Sequence, residues 1–354
     1  MKNTFSSSLR SLQWILLLSI LVLSASCSKE QVTEGEWDIP VDEVRDGGPG
    51  KDGIPSVDNP QFADVSSISY LANEDLVIGV AMEGDVRAYP HPILDWHEIV
   101  NDRTTNFAYS LTYCPLTGSG IAWDRVIDGT ETTFGVSGLL YESNLIPYDR
   151  ETNSNWSQMQ LTCVNGPLMG REIPIFPIIE TTWATWKAMY PNSQVMTTVT
   201  GFNRDYGNYP YGDYRTNDDY ILFPVSNPDE RLPEKERVHG IIVNGSAKVY
   251  RFSAFEAGGA TVLIEDNVLG EDVLVLGNVA ENWIVSFRAP GDGNSFTAVQ
   301  GEGNVVLEDD AGNRYDVFGV AVEGPDTGVQ LEATRSYLGY WFAWGTFFPG
   351  VEIY

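Results

Sequence analysis

The stretch Gly84-Asp85-Val86-Arg87-Ala88-Tyr89 returns farther along the chain as Gly245-Ser246-Ala247-Lys248-Val249-Tyr250. Two more matches follow in the same order and at nearly the same spacing. Gly166-Pro167 pairs with Gly324-Pro325, and Trp183, Trp186, Tyr190 and Pro191 pair with Trp341, Trp344, Phe348 and Pro349. Between them, Asn153-Ser154-Asn155-Trp156 lines up more weakly with Gly312-Asn313-Arg314-Tyr315. Ordered matches at constant spacing mark an internal repeat. The chain therefore reads as two related halves, about 70–200 and 240–354, joined by an irregular insert.

Local pattern supplies the fold class. Leu76-Val77-Ile78-Gly79-Val80-Ala81-Met82 and Phe107-Ala108-Tyr109-Ser110-Leu111-Thr112-Tyr113 are strand-like and are punctuated by Gly and Asp turns. Each half then closes on a short helix. In the first, Thr181-Thr182 offers an N-cap, Trp183, Trp186 and Tyr190 fall on one face, and Pro191 ends the helix. Recurrence of the tryptophans in both halves at helical spacing favours core packing over a sugar-stacking platform. The expectation is an α+β, β-rich fold of two pseudo-repeated antiparallel halves, each closed by a short Trp-containing helix. A first half over 36–200 and a second over 238–354 flank an insert at 201–237, in which Tyr206, Tyr209, Tyr211, Tyr214 and Tyr220 stand beside several aspartates. Such a loop lines a site, covers one, or packs on its own rings.

The N-terminus reads as an export signal. Lys2 and Arg10 precede an apolar run from Trp14 to Leu23, too short for a permanent span of roughly 20 residues, and Ser24-Ala25-Ser26 lead to Cys27. Leu23-Ser24-Ala25-Ser26-Cys27 resembles the lipobox of bacterial lipoproteins, with Ser24 where the family usually has Leu. The resemblance implies a signal peptide over 1–26, an acylated Cys27 and a tether over 27–35. The partner it implies is a membrane, reached through the Cys27 lipid. With no Asp after Cys27, it further implies a cell-envelope site at the outer membrane of a Gram-negative bacterium.

The chain has 21 basic and 49 acidic residues, a formal net charge of -28. Like charge makes nucleic acid and anionic lipid poor partners. The 10 Trp, 17 Tyr and 15 Phe are enough for a sizeable core. With Cys27 lipidated, Cys114 and Cys163 are the remaining thiols, and export allows them to pair or to stay free.

Three segments carry candidate chemistry. His97, in Asp95-Trp96-His97-Glu98-Ile99-Val100-Asn101, suits a general base or one metal ligand, or else anchors a turn. Asn101 stands where a zinc-protease helix would need a second imidazole, so that motif is excluded. Cys114, in Tyr113-Cys114-Pro115-Leu116-Thr117-Gly118, ends an apolar strand before a turn. It suits a nucleophile, a soft ligand for copper or zinc, or an inert core thiol. Upstream, the Gly- and Pro-punctuated loop from Gly47 to Pro55 presents Lys51 and Asp52, and no flanking strand and helix make it a phosphate loop. The second half has no Cys or His at the places equivalent to Cys114 and His97, so the shared fold does not require them.

Nearly the whole mature chain resembles the bacterial and archaeal family catalogued as domain of unknown function 3179. The resemblance rests on the Gly47–Pro55 loop, Arg87-Ala88-Tyr89-Pro90, Trp96-His97-Glu98, Tyr113-Cys114-Pro115-Leu116, Phe134-Gly135-Val136-Ser137-Gly138, Asp149-Arg150, Trp156-Ser157-Gln158, Arg204-Asp205-Tyr206-Gly207, Pro210–Tyr214 and Arg231-Leu232-Pro233. It implies no established activity. Many relatives carry a second cysteine where this chain has Thr117, which implies one thiol fewer here unless Cys163 replaces it.

The expected function is a site in the first half built on Cys114 and His97, with Asp52, Lys51, Met159 and Cys163 nearby. It would do thiol chemistry or bind a copper or zinc ion. The alternatives are a non-catalytic binding or scaffold lipoprotein whose aromatic cleft holds a protein or glycan, and a Cys-His hydrolase.

Overall fold

Strands Leu76–Met82 and Asp85–Pro90 form a tight hairpin in which Met82 faces Asp85 and Ile78 faces Tyr89. Glu83 and Gly84 both take positive φ, 49° and 89°. Two such residues match the right-handed twist of the flanking strands. The second half repeats the device: Val243 faces Ser246 across Asn244 and Gly245, with φ of 49° and 78°. The computed structural model describes residues 35–291 and 293–354. The export signal, Cys27 and the tether as far as Glu34 lie outside the described residues.

Around each hairpin the pairing order is the same. Ile178–Thr182 pairs antiparallel with Leu76–Met82, and Gln194–Met196 pairs parallel with Asp85–Pro90. Ser336–Tyr340 and Glu352–Ile353 occupy these positions beside Arg237–Val243 and Ser246–Arg251. Between the flanking strands of each sheet runs a seven-residue helix, Trp183–Met189 or Trp341–Phe347. A three-stranded antiparallel unit follows each hairpin, Ile99–Arg103, Ala108–Cys114 and Ser119–Asp124 in one half, and Val262–Val268, Glu271–Asn278 and Trp283–Arg288 in the other. Each half also has a four-stranded meander, starting at Phe134–Tyr141 and at Phe296–Glu302. The fold is thus strand-rich α+β with three short α-helices among the described residues. The two parallel pairings are a departure from wholly antiparallel halves.

The expected N-cap is present: the Thr182 hydroxyl accepts from the Thr185 amide at 3.2 Å. Trp183 and Trp186 are buried, as are Trp341 and Trp344, so these rings pack the core. Helix Trp341–Phe347 is buried on all sides. The insert covers its outer face, where the Trp341 indole donates to the Asp229 carbonyl at 2.7 Å. A helix apolar all round needs such a cover. No helix of the described residues is long and apolar enough to cross a membrane.

The third helix, His91–His97, links the first hairpin to Ile99–Arg103. It stops because Glu98 turns to φ 58°, which sends the chain straight into the strand. That reversal brings the end of the helix beside the end of strand Ala108–Cys114, where the Tyr113 amide donates to the Glu98 carbonyl at 2.7 Å.

Candidate functional site

At the junction of the helix end and the strand end, the Pro115 and Leu116 carbonyls leave the sheet with no ladder partner. Buried carbonyls need donors, and tyrosines of the insert supply them. The Tyr214 hydroxyl donates to Leu116 at 3.0 Å, and that of Tyr209 to Pro115 at 3.4 Å. Arg215 lies over the Tyr209 ring at 3.6 Å and pairs with the buried Asp95 carboxylate at 2.6 Å. The Trp96 indole donates to the Asn208 carbonyl at 3.0 Å. The insert therefore covers the His91–His97 helix and the Cys114-Pro115-Leu116 turn.

Beneath this cover lies a cavity of about 140 Å³. Its walls are apolar: Ile54 from the N-terminal loop, Leu116 from the turn, Val136 and Leu140 from one strand, Leu145 and the insert's Phe223. Glu98 is the one charged residue in its lining, and Tyr211 donates to that carboxylate at 3.3 Å. Burial pushes the Glu98 carboxyl up to about 7; the Tyr211 hydrogen bond opposes the shift and Asp95 adds to it. A carboxyl in an apolar pocket titrating near neutrality has the properties of a general acid or base, or of a counter-ion.

The N-terminal loop closes this cavity and is clamped on its outer side. The Asp52 amide donates to Val136 at 2.8 Å, and the Asp52 carboxylate takes Arg150 at 2.9 Å and the Tyr148 hydroxyl. Lys51 reaches Asn153 and lies over the Tyr148 ring at 3.7 Å. Gly138 makes the close approach feasible, because a Cβ there would sit 2.6 Å from the Gly50 carbonyl carbon. Lys51 and Asp52 are thus engaged in holding the loop, and neither lines the cavity.

His97 ties three segments together. Its Nδ1 lies 2.7 Å from the Pro55 carbonyl and its Nε2 lies 2.6 Å from the Tyr206 hydroxyl, which is also bonded to Thr200. The carbonyl can only accept, so Nδ1 carries the proton and Nε2 accepts from Tyr206. Burial lowers the His97 pKa and favours this neutral form. Both ring nitrogens are occupied in joining the helix, the N-terminal loop and the insert.

Cys114 is 1% exposed, with its sulfur 3.8 Å from the Ser143 carbonyl. Burial, reinforced by the Glu98 charge, pushes the thiol up to about 11. Cys163 is also a free buried thiol, 3.4 Å from the Asn165 carbonyl and pushed up to about 11 by burial. Cys114, Met159 and Cys163 share one apolar core, and the two thiols are not joined. No hydrogen bond links Cys114 to His97, and among the described residues no group of three or more His, Cys, Asp or Glu side chains gathers in metal-binding fashion.

Next to the thiol, Thr117 enters a buried polar network. Asn144 donates to Thr117 at 2.9 Å and to Gln158 at 2.7 Å, and Gln158 donates to Thr112 at 3.0 Å. A hydroxyl is well suited to this network, where a thiol would be a weak partner.

The residue that reading by type passed over is Glu98. Its signal was its place directly after the helix-ending His97, but only the positive φ and the folded-over insert make it a pocket carboxyl. A family model described as "Protein of unknown function (DUF3179)" matches residues 51–351. No curated protein and no solved structure matches the chain.

Proposed function

Taking as premise that the chain belongs to the DUF3179 family, we propose that it is an exported lipoprotein, anchored through Cys27, whose first half binds a small organic cation against Glu98. The observation that carries this reading is the lone carboxyl in an otherwise apolar cavity of about 140 Å³. An alkylammonium complements both features, since its tail fills the apolar walls while its charge restores the ionised state that burial opposes. The Tyr211 ring adds an aromatic wall of the kind that favours cations. A net charge of -28 draws cations toward the surface and repels anions.

This reading departs from the expectation built on Cys114 and His97. A thiol raised to about 11 holds little thiolate at neutral pH, and an imidazole with both nitrogens engaged has no free lone pair for a metal. Their place in the proposed site is to shape it, Cys114 by packing in the same core as the lining residues Leu116, Val136 and Leu145, and His97 by tying the loop to the insert.

The test is calorimetric titration of the full-length chain with n-butylammonium and its neutral analogue n-butanol, from pH 6 to 9. Binding of the cation in preference to the alcohol, strengthening as pH rises through about 7 and lost in Glu98→Gln, supports the reading. Equal binding of the two compounds, or a Glu98→Gln variant that binds the cation as well as the wild type, removes it. The anchor has its own assay: Cys27→Ser must release the protein from the membrane fraction.

A further inference from the structure

A second cavity, of about 300 Å³, lies where the two halves meet, at the lower end of the range of roughly 300–1,000 Å³ found for small-molecule sites. One wall, from the first half, is largely apolar and includes Phe176, Pro177 and Ile178. The wall from the second half carries His239, Ser286, Thr334 and Ser336. These four form one cluster. His239 Nε2 lies 2.8 Å from the Ser286 hydroxyl, Ser286 is bonded to Thr334 at 2.5 Å and to Ser336 at 3.1 Å, and Thr334 donates to Ser336 at 2.9 Å.

Strand register shows that the fold does not need a polar cluster there. His239 faces Tyr250 in the second hairpin as Ile78 faces Tyr89 in the first. Ser286 faces Val275 as Ala122 faces Leu111, and Ser336 faces Ile241 as Ile178 faces Val80. Thr334 lies against Ser286, its amide donating to the Ser286 carbonyl at 3.3 Å, where Phe176 lies against Ala122. One half fills this corner with Ile78, Ala122, Phe176 and Ile178. The other fills it with an imidazole and three hydroxyls. Buried polar groups cost free energy that apolar packing would not, and here one remains unmet: His239 is 4% exposed and its Nδ1 has no partner.

The charges around the cavity are already matched. Glu180 is held by Arg237 at 2.6 Å, Arg335 by Glu172 at 2.6 Å, and Arg288 by Glu332 at 3.1 Å. Burial lowers the His239 pKa to about 3, so the imidazole is neutral. What the cavity has to offer is neutral hydrogen bonding on one side and apolar surface on the other.

We infer that this cavity binds a neutral polyhydroxylated molecule of monosaccharide size, its hydroxyls meeting the His239, Ser286 and Ser336 wall and its C–H face lying on Phe176 and Ile178. The site is separate from the Glu98 pocket and stands or falls independently of it. The experiment is calorimetry on the full-length chain with D-glucose, D-galactose and N-acetyl-D-glucosamine, with sodium acetate and n-butylammonium chloride as charged controls. At least one sugar should bind with a millimolar or tighter Kd, and Ser336→Ala and His239→Ile should each weaken it at least tenfold. His239→Ile, which restores the first half's residue, should also leave the unfolding temperature unchanged or raised. If His239→Ile does not fold, Ser336→Ala and Ser286→Ala carry the test. Absence of binding by all three sugars, tighter binding of a charged control, or unaltered sugar binding in the folded variants overturns the proposal.

Discussion

Gly79 lies beneath Trp186 so closely that a Cβ on the glycine would stand 2.0 Å from Cζ3 of the indole. Gly240 and Trp344 repeat the relationship at 2.3 Å from Cη2. In each half the terminal helix seats its second tryptophan on the first strand of the hairpin, and the strand can accept the ring only where it has no side chain. Gly79→Ala and Gly240→Ala should therefore each destabilise the protein by roughly 1–3 kcal/mol, the usual cost of overpacking a core. Urea unfolding checks this, and wild-type stability in either variant would show that the ring can move aside.

Glu98 should make the protein less stable as pH rises from about 4.5 to about 7. Its folded pKa is raised above the ordinary carboxyl value, so the native state binds the proton more tightly and loses that advantage as the group ionises. The penalty above pH 7 is roughly 3 kcal/mol at one pKa unit per 1.36 kcal/mol. Glu98→Gln removes it, so the variant should gain on the wild type as pH rises across this window in parallel denaturation curves.

His239 works in the opposite direction. Its folded pKa is depressed to about 3 by burial, so the unfolded chain binds the proton more readily, and stability falls as pH drops from about 6.5 toward 3. His239→Ile should blunt this acid lability. An acid-unfolding midpoint identical to the wild type's would contradict the burial of a neutral imidazole.

Cys114 and Cys163 should resist alkylation in the native state at pH 8, since both are buried and both are pushed up to about 11. Iodoacetamide labelling followed by mass spectrometry should report no label at either position until denaturant is added. Rapid native labelling of Cys114 would restore the thiol-chemistry reading.

The Tyr211→Phe variant should shift the Glu98 titration upward, because that hydrogen bond favours the carboxylate. The pH at which Glu98 changes charge, followed by difference infrared spectroscopy of its carboxyl band, measures the shift directly.

Some of this was written in local pattern. The apolar run Leu76–Met82, the Gly and Asp turns, the Thr182 cap and the tryptophan spacing act within a few residues, so strands and the terminal helices were legible along the chain. Residue type alone led to Cys114 and His97 because thiols and imidazoles carry most known chemistry. Their protonation and access depend on burial, which no short stretch encodes. Glu98 could not be distinguished from other glutamates until the Gly47–Pro55 loop and Phe223 closed around it. Likewise Ser286 and Thr334 have no distinguishing mark along the chain and become a cluster with His239 only where strands Arg237–Val243 and Trp283–Arg288 meet the segment that precedes Ser336–Tyr340. Periodicity and turn chemistry are properties of neighbours in sequence. Desolvation and the convergence of polar groups are properties of neighbours in space, and only the tertiary structure decided those.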